Sequence, residues 1–388
     1  MTPIDVAAAR AATPFCDDHI HLNNAGTALP PGVVLDTQVE WLRTEARVGG
    51  YELEADRTDR IAAVYDSIAR LLGADADDIG LFVNATDAWN AAFDSIPMGA
   101  GDRIITSETD YASNWIAFLG AQRRSGVTID AIPRGDDGSV SLPDLANRLD
   151  DDVALVAISH IPTNDGLVVD AAAIGALCRE IEAPFLLDAC QSAGQVPLDV
   201  AALGCDFLSA TGRKYLRGPR GTGFLYASPA ARERFEPRRL DLTSATWTTP
   251  TTYQPRADGR RFETFERSQA GIVALGAAVE HALSWGLDAI DHRVSMLGER
   301  LRGQLRDIGA TVHDHGTRRC GIVTFTLDDV GPDAVRDRLR PEGVTVWVSA
   351  ATALDIDRIR RPDTVRASVH YYNTEDELDR AVHLLADL

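Results

Sequence analysis

The sequence predicts an α/β fold, with a large domain built on a mainly parallel seven-stranded sheet and a smaller α+β domain. Seven short apolar runs alternate with stretches of helical periodicity between residues 79 and 227, which is typical of βα units. Most of these runs are apolar at every position, as expected of strands that are covered on both faces. A chain of 388 residues is also long enough for two cores.

Residues 19–31 form a turn-rich lead-in, and residues 32–73 have the periodicity of two helices separated at Gly49 and Gly50. The seven predicted strands then follow: IGLFV, RIIT, VTIDAI, VALVAIS, PFLLDA, DFLSA and TGFLYA. Because ligands of such sheets lie beyond the carboxyl ends of the strands, the residues that follow each strand are candidate site residues.

Residues 240–260 are polar and contain prolines, which predicts a long functional loop. Two long helices at about 268–285 and 290–308 are expected next, followed by a strand, a helix, two strands and a closing helix. The predicted boundaries are 32–255 for the large domain, and 1–31 with 262–388 for the small one. Loop 243–260 and segment 349–361 are expected to shape the substrate pocket.

The formal net charge of -20 excludes nucleic acid and anionic membranes as expected partners, because such a surface repels both. The five cysteines are scattered without zinc-ligand spacing, so no metal site is predicted. Unpaired cysteines fit a reducing cytoplasm. Neither a signal peptide nor a membrane-spanning run is predicted.

The stretch DFLSATGRKYLRGPRGTGFLY, residues 206–226, places one lysine between two strands and among three arginines. The cations Arg213, Arg217 and Arg220 repel one another unless an anion neutralises them, and their field lowers the pKa of Lys214. A low pKa suits an amine that attacks a carbonyl. The alternative is an ordinary basic surface loop.

Other strand ends carry polar residues that each have a plain structural explanation. Thr86 and Asp87 open a helix and either bind a phosphate or cap that helix. Tyr111 either stacks on a flat ring or packs one domain against the other. A buried Asp188 needs a partner, and a protonated pyridine nitrogen is one. Taken together with Lys214, the set predicts a pyridoxal 5'-phosphate (PLP) site with a Schiff-base lysine; its further members are Asn164, Gln191, Thr211 and Arg213.

These residues resemble those of the class V aminotransferase and cysteine desulfurase family, which are fold-type I PLP-dependent transferases. The resemblance covers nearly the whole chain and rests on HLNNAGTALP, NATDAWN, DYASN, LLDACQSAGQ, SATGRKYLRGPRGTG, RFETFERSQAG and VRASVHYYNTEDEL. The lysine segment and RASVHYYNT are the most specific of these motifs.

The resemblance implies a role for each matching residue. Lys214 would carry the cofactor, Asp188 would pair with the ring nitrogen, and Gln191 with the phenolic oxygen. Tyr111 would stack on the ring. The phosphate would be bound by Thr86, Asp87 (through its backbone), Thr211 and Arg213. Arg366 would bind the substrate carboxylate, and Asn24, Ala25 and Gly26 would line the substrate entrance. The family also implies a homodimer. The segment FETFERS, which the neighbouring subunit contributes in this family, lacks the usual Gly-Thr pair, which leaves phosphate contact across the dimer open, with Arg267 as the candidate substitute.

The sequence departs from a desulfurase in the region VWVSAATALDIDRIRRPDTVR, which has no cysteine before the carboxylate-binding arginine. We therefore expect C–S bond cleavage by β-elimination from a cysteine-derived substrate, because elimination needs no nucleophilic thiol. The alternatives are a class V aminotransferase or epimerase, a cysteine desulfurase, and a protein of this fold that only binds a ligand.

Overall fold

The computed structural model describes residues 2–350 and 362–388. Its α-helices, α1 to α14, are Val6–Ala11, Gly32–Val48, Gly50–Asp56, Thr58–Leu72, Ala85–Ser95, Ala112–Ser125, Leu142–Arg148, Ala171–Glu180, Val200–Leu203, Pro229–Arg234, Gln269–Trp285, Leu287–Asp307, Pro332–Leu339 and Glu375–Ala386. Its strands, β1 to β15, are Ile20–His21, Ile79–Phe82, Arg103–Ser107, Thr128–Ile132, Val153–Ser159, Phe185–Asp188, Phe207–Thr211, Gly223–Ala227, Ala245–Thr249, Thr252–Pro255, Thr311–Val312, Ile322–Thr326, Val344–Thr345, Trp347–Ser349 and Thr364–Ser368.

The seven predicted strands form one sheet in the order β2-β8-β7-β6-β5-β3-β4. Neighbours from β7 to β4 run parallel, and β8 is antiparallel to both β2 and β7. Every residue of β6, β7 and β8 is buried, which is why these runs are apolar without alternation. The predicted mainly parallel sheet is therefore confirmed.

A second, antiparallel sheet has the order β11-β12-β15-β14 and is packed by α12 and α13, and α14 packs on these two helices. The N-terminal segment joins this part of the molecule, because β1 pairs in parallel with β13 and Asn23 forms a bridge to Ser368. Helix α11, which follows residue 262, packs instead on α2 and α4. The domain boundaries at 255 and 262 stay a prediction.

Residues 245–255 are not the irregular loop that the sequence predicts. Strands β9 and β10 pair as an antiparallel hairpin, with Tyr253 opposite Trp247. The segment is rich in threonine, whose branched side chain favours extended backbone, and this preference outweighs the polar, proline-bearing composition.

Within residues 2–350 and 362–388, no single helix has the length and apolar character needed to cross a membrane. Helices α11 and α12 meet that test only as a pair, and the pair is bent by 80°.

Gly194 determines how closely the chain after β6 approaches the loop between β7 and β8, which contains Lys214. Its φ is +84°, and a Cβ added there would lie 2.6 Å from the carbonyl carbon and oxygen of Tyr215. Only glycine permits both this backbone conformation and this contact. Gly286 has nearly the same φ, +83°, but no atom within 4 Å of an added Cβ.

We predict that Gly194→Ala destabilises the protein more than Gly286→Ala does. Both variants lose about 1–2 kcal/mol because an L-residue is strained at positive φ. Gly194→Ala loses a further ~1–3 kcal/mol because its Cβ overlaps the Tyr215 backbone. Urea unfolding of the two apoproteins measures the difference, and equal losses would show that the close approach at Gly194 is unimportant.

Candidate active site

Lys214 lies in the loop between β7 and β8, at the carboxyl edge of the large sheet. It borders a cavity that is also lined by Asn84, Ala85, Thr86, Tyr111, Ser159, Ile161, Thr163, Asp188, Cys190, Gln191, Thr211 and Arg213. These residues end or follow β2, β3, β5, β6 and β7, so the strand ends do converge on one site. A concave site with several convergent polar groups is typical of small-molecule binding.

The Lys214 amine is buried, with 8% of the residue exposed, and makes no hydrogen bond or ion pair with any described residue. Its Nζ atom lies 5.9 Å from the centre of the Tyr111 ring. Burial lowers the pKa of Lys214, and the charges of Arg213 and Arg366 lower it further, while Cys190 and Asp188 oppose the shift. The amine is thus shifted toward the neutral form that attacks a carbonyl.

Asp188 ends β6 and is 7% exposed. Its carboxylate accepts hydrogen bonds from the Asn114 side chain at 3.2 Å and from the Cys190 backbone amide at 2.9 Å. No described arginine, lysine or histidine forms an ion pair with it. A carboxylate placed in a cavity without a cation is suited to hold a protonated ring nitrogen.

Gln191, Thr163 and Arg366 form a hydrogen-bonded chain along one wall. Thr163 Oγ1 accepts from Gln191 Nε2 at 3.1 Å and from Arg366 Nη1 at 2.9 Å. Gln191 Oε1 and Arg366 Nε are buried and have no partner, so both still have hydrogen-bonding capacity for a ligand. Burial lowers the pKa of Arg366 to about 10.

Thr163 was not among the predicted site residues, whereas its neighbour Asn164 was. In the structure Thr163 lines the cavity, while Asn164 is half-buried and does not belong to the lining. Both are polar and both follow β5, so no signal in the sequence distinguishes them.

The start of helix α5 differs from the predicted phosphate site in one contact. The amide of Asp87, which was expected to bind phosphate, donates instead to Asn84 Oδ1 at 2.8 Å. The Asp87 carboxylate is paired with Arg239. The amides of Ala85 and Thr86 donate to no described residue, and both residues line the cavity. These two amides, at the positive end of the helix dipole, are therefore the better anion donors.

The three arginines around Lys214 have different surroundings. Arg213 donates to the Gly26 carbonyl, which leaves it between the cavity and the N-terminal segment. Arg217 is 1% exposed, lies over the ring of Tyr372, and donates to the Leu29 carbonyl, Thr13 Oγ1 and Tyr371 Oη. Only Arg220 of the three is exposed.

The N-terminal segment reaches the site in a different register from the one predicted. The Asn24 side chain is buried and bonds the Ser368 carbonyl and the Tyr372 hydroxyl, so it serves the fold. Its neighbour Asn23 instead accepts from Arg366 at 3.3 Å. The Ala25 carbonyl accepts from Gln191 at 3.2 Å, and the Gly26 carbonyl accepts from Arg213.

Two further predicted residues are engaged within the chain itself. Thr211 lines the cavity, and its hydroxyl donates to the Thr222 carbonyl at 3.3 Å. Arg267 forms a buried ion pair with Glu263 at 2.6 Å and donates to the Tyr65 hydroxyl at 3.1 Å. Whether Arg267 also contacts a phosphate stays a prediction. Residues 351–361 of segment 349–361, which was expected to shape the pocket, lie outside the described residues.

The residues of this cavity fit PLP. The cavity provides an unpaired buried amine, a carboxylate without a cation, a buried amide oxygen without a partner, an aromatic ring, and two free helix amides at one end. Each matches one chemical group of the cofactor. In the described part of the chain, no cluster of three or more His, Cys, Asp or Glu side chains is arranged to hold a metal ion.

One sequence feature could have identified the site more directly than any motif. Lys214 is the only lysine of the chain, and all other residues counted as Lys or Arg are arginines. No other lysine is therefore available to form a Schiff base.

Comparison with known proteins relates nearly the whole chain to one family. The family model for class-V aminotransferases matches residues 20–381. A probable cysteine desulfurase 2 of Mycobacterium leprae is 30% identical over 406 residues, covering 98% of this chain and 96% of the relative. A probable cysteine desulfurase of Methanothermobacter thermautotrophicus is 27% identical, covering 95% of this chain and 94% of the relative.

Solved structures agree on the fold. The apo structure of a cysteine desulfurase from Thermococcus onnurineus NA1 superposes with a TM-score of 0.93 at 22% identity, covering 100% of this chain and 99% of that one. The cystine C–S lyase C-DES, in complex with its product cysteine persulfide, gives a TM-score of 0.88 at 24% identity, covering 97% and 99%. The family match and these folds confirm the predicted resemblance. The chain belongs to the class-V aminotransferase family and is a fold-type I, PLP-dependent enzyme.

Proposed function

We propose that this enzyme cleaves the C–S bond of a cysteine-derived substrate by β-elimination. The observation that carries this proposal is the state of the five cysteines, all of which lie in the described part of the chain. A desulfurase needs a reactive thiolate to take up sulfur, and thiolates form where the surroundings lower the thiol pKa. Elimination needs no such group.

None of the cysteines has the surroundings of a reactive thiol. Burial raises the pKa of every one of them, to about 12 for Cys178 and Cys320. Cys190 is the only one that lines the cavity, and the charge of Asp188 adds to the burial effect on its pKa. Cys320 is 1% exposed and precedes β12 in the core of the second sheet.

PLP, when bound, supplies an electron sink for the carbanion that forms at Cα. The residues of the chain would supply the rest. Asp188 would keep the ring nitrogen protonated, and Tyr111 would cover the ring. Arg366 would hold the α-carboxylate and so fix which bond at Cα faces Lys214. Lys214, once its amine is released, would take the α-proton, because its lowered pKa makes it a competent base. A thiol leaving group on Cβ would then depart.

A cysteine desulfurase is the second candidate, because relatives in Mycobacterium leprae and Methanothermobacter thermautotrophicus bear that name. The C–S lyase neighbour, whose product is a persulfide, supports sulfur chemistry on cysteine without deciding between the two reactions. Segment 350–363 contains no cysteine, which favours elimination. Aminotransferase and epimerase activities remain alternatives that share the same first steps.

We further propose that the enzyme is a homodimer of the cytoplasm. Leu42, Tyr51 and Phe265 are exposed apolar residues that line one surface cleft, as expected of a subunit contact. The five cysteines are free, which fits a reducing compartment.

A product assay tests the proposed reaction. We expect the PLP-loaded enzyme, given S-substituted cysteines and no keto acid, to release pyruvate and thiol in equal amounts. L-Cysteine is tested in parallel, and Lys214→Ala is the inactive control. Alanine with protein-bound persulfide would establish a desulfurase instead, and conversion of the cofactor to its amine form would establish a transaminase.

The electrostatics of Lys214 also predict the pH dependence of cofactor loading. Only the neutral amine attacks the aldehyde, and the pKa of Lys214 is lowered from its ordinary value of 10.5. The loading rate of the apoprotein, followed by its visible band, should therefore rise with pH and level off well below pH 10.5. Nα-acetyl-lysine under the same conditions should level off near its own pKa of about 10.4. A loading rate that keeps rising up to the pH at which the reaction of Nα-acetyl-lysine levels off would refute the lowered pKa of Lys214.

A further inference from the structure

Asp110 is a buried carboxylate that lies behind the proposed cofactor site and has no role in the mechanism above. It occupies the turn between β3 and α6 and is 9% exposed. It accepts hydrogen bonds from Thr106 Oγ1 at 2.8 Å, Tyr111 N at 2.5 Å, Ser159 Oγ at 2.5 Å and Asn114 Nδ2 at 2.9 Å. Four donors on one carboxylate are more than a turn requires.

These donors come from three separate elements that meet at the cavity. Thr106 is on β3, Ser159 ends β5, and Tyr111 and Asn114 belong to the start of α6. Tyr111 and Ser159 line the cavity themselves. Through these hydrogen bonds, Asp110 connects the three elements that surround the Tyr111 ring at the cavity.

Asn114 connects Asp110 to the base of the site. Its single amide nitrogen lies 2.9 Å from Asp110 Oδ1 and 3.2 Å from Asp188 Oδ2, so it donates to both carboxylates. Asn114 is 4% exposed, which keeps water from replacing either bond. Cys190 is hydrogen-bonded to the Asp188 carboxylate through its backbone amide, which donates to Oδ1, and through its thiol, while the Asn114 side chain donates to Oδ2.

The two carboxylates also interact through their charges. Burial raises the pKa of Asp110 to about 6, hydrogen bonds from Ser159, Asn114 and Thr106 oppose the rise, and the charge of Asp188 adds to it. Asp110 is therefore still mostly ionised at neutral pH. Two negative charges in a poorly solvated site raise the proton affinity of a basic group placed against them.

We propose that Asp110 is a positioning residue of the active site, which holds Asp188 through Asn114 and adds negative potential at the ring nitrogen of the cofactor. This inference rests on the proposed role of Asp188 as the partner of that nitrogen. Residues that orient a primary contact in this way tune the group they hold, as outer ligands do around metal sites.

The test uses holoenzyme loaded with PLP that carries ¹⁵N in the ring, because the nitrogen signal reports its proton directly. We expect Asp110→Asn and Asn114→Ala each to lower the pH at which the ring nitrogen loses its proton by about one unit, a tenfold change in proton affinity. Thr106→Val is the matched control: it removes a buried hydrogen bond to the same carboxylate but leaves the Asn114 bridge intact. It should leave the nitrogen signal unchanged, whatever its effect on the melting temperature.

The variant Asp188→Ala distinguishes a failure of the proposed role of Asp188 from a failure of the proposed role of Asp110. If the nitrogen signal is unchanged in Asp188→Ala, the proposed role of Asp188 fails. If that variant shifts the signal while Asp110→Asn and Asn114→Ala do not, only the role of Asp110 is overturned. Should Asp110→Asn fail to fold, Asn114→Ala alone decides the outcome. A shift of the nitrogen signal in Thr106→Val as large as in Asn114→Ala would also overturn the proposal, because any lost hydrogen bond in this region would then produce the shift.

Discussion

The arrangement of this site depends on keeping one amine buried and unpaired. The Lys214 amine has neither an ion-pair partner nor a hydrogen bond among the described residues, and two guanidinium groups add to the effect of burial on its pKa. Such a lysine destabilises the empty protein, because a charged group without a partner is costly to bury. A cofactor bound to this amine would give it the partner that it lacks, so the same feature that weakens the apoprotein would favour loading.

The site is shared between the two sheets, and a few contacts connect them. Arg366 is on β15 of the second sheet, yet it bonds Thr163 at the edge of the first and Asn23 of the N-terminal segment. Thr163 in turn bonds Gln191, which was expected to contact the cofactor ring. Arg366, the residue proposed to bind the substrate carboxylate, is therefore connected to Gln191 through one hydroxyl, and neither sheet alone contains the candidate site.

The strands were predictable because short, continuously apolar runs are typical of buried strands. The gathering of the residues that follow them was predictable too, because parallel strands end at the same edge of a sheet. Which of two adjacent polar residues faces the cavity was not. Asn23 rather than Asn24 accepts from Arg366, and Thr163 rather than Asn164 lines the cavity, because side-chain direction depends on local turns that composition does not reveal. The cluster of charges also did not indicate that Arg213 and Arg217 donate to carbonyls and hydroxyls of the chain. Their partners are distant in sequence, so no local pattern indicates them.

Two other predicted contacts involve groups that already have a partner within the chain. The Asp87 amide donates to Asn84, and Arg267 is paired with Glu263. The family pattern assigns both groups to a ligand, and the sequence alone does not reveal these partners. Asp110 shows the converse, since this residue of the motif DYASN was assigned no role and yet accepts hydrogen bonds from several parts of the site.

Borohydride reduction of the PLP-loaded protein, followed by peptide mass spectrometry, tests the central claim about Lys214 most directly. Because the chain has no other lysine, the reduced cofactor should be recovered on the single peptide that contains residue 214, at one equivalent per chain. Protein that binds PLP and yet yields no modified Lys214 peptide after reduction would contradict the assignment of this amine as the point of attachment.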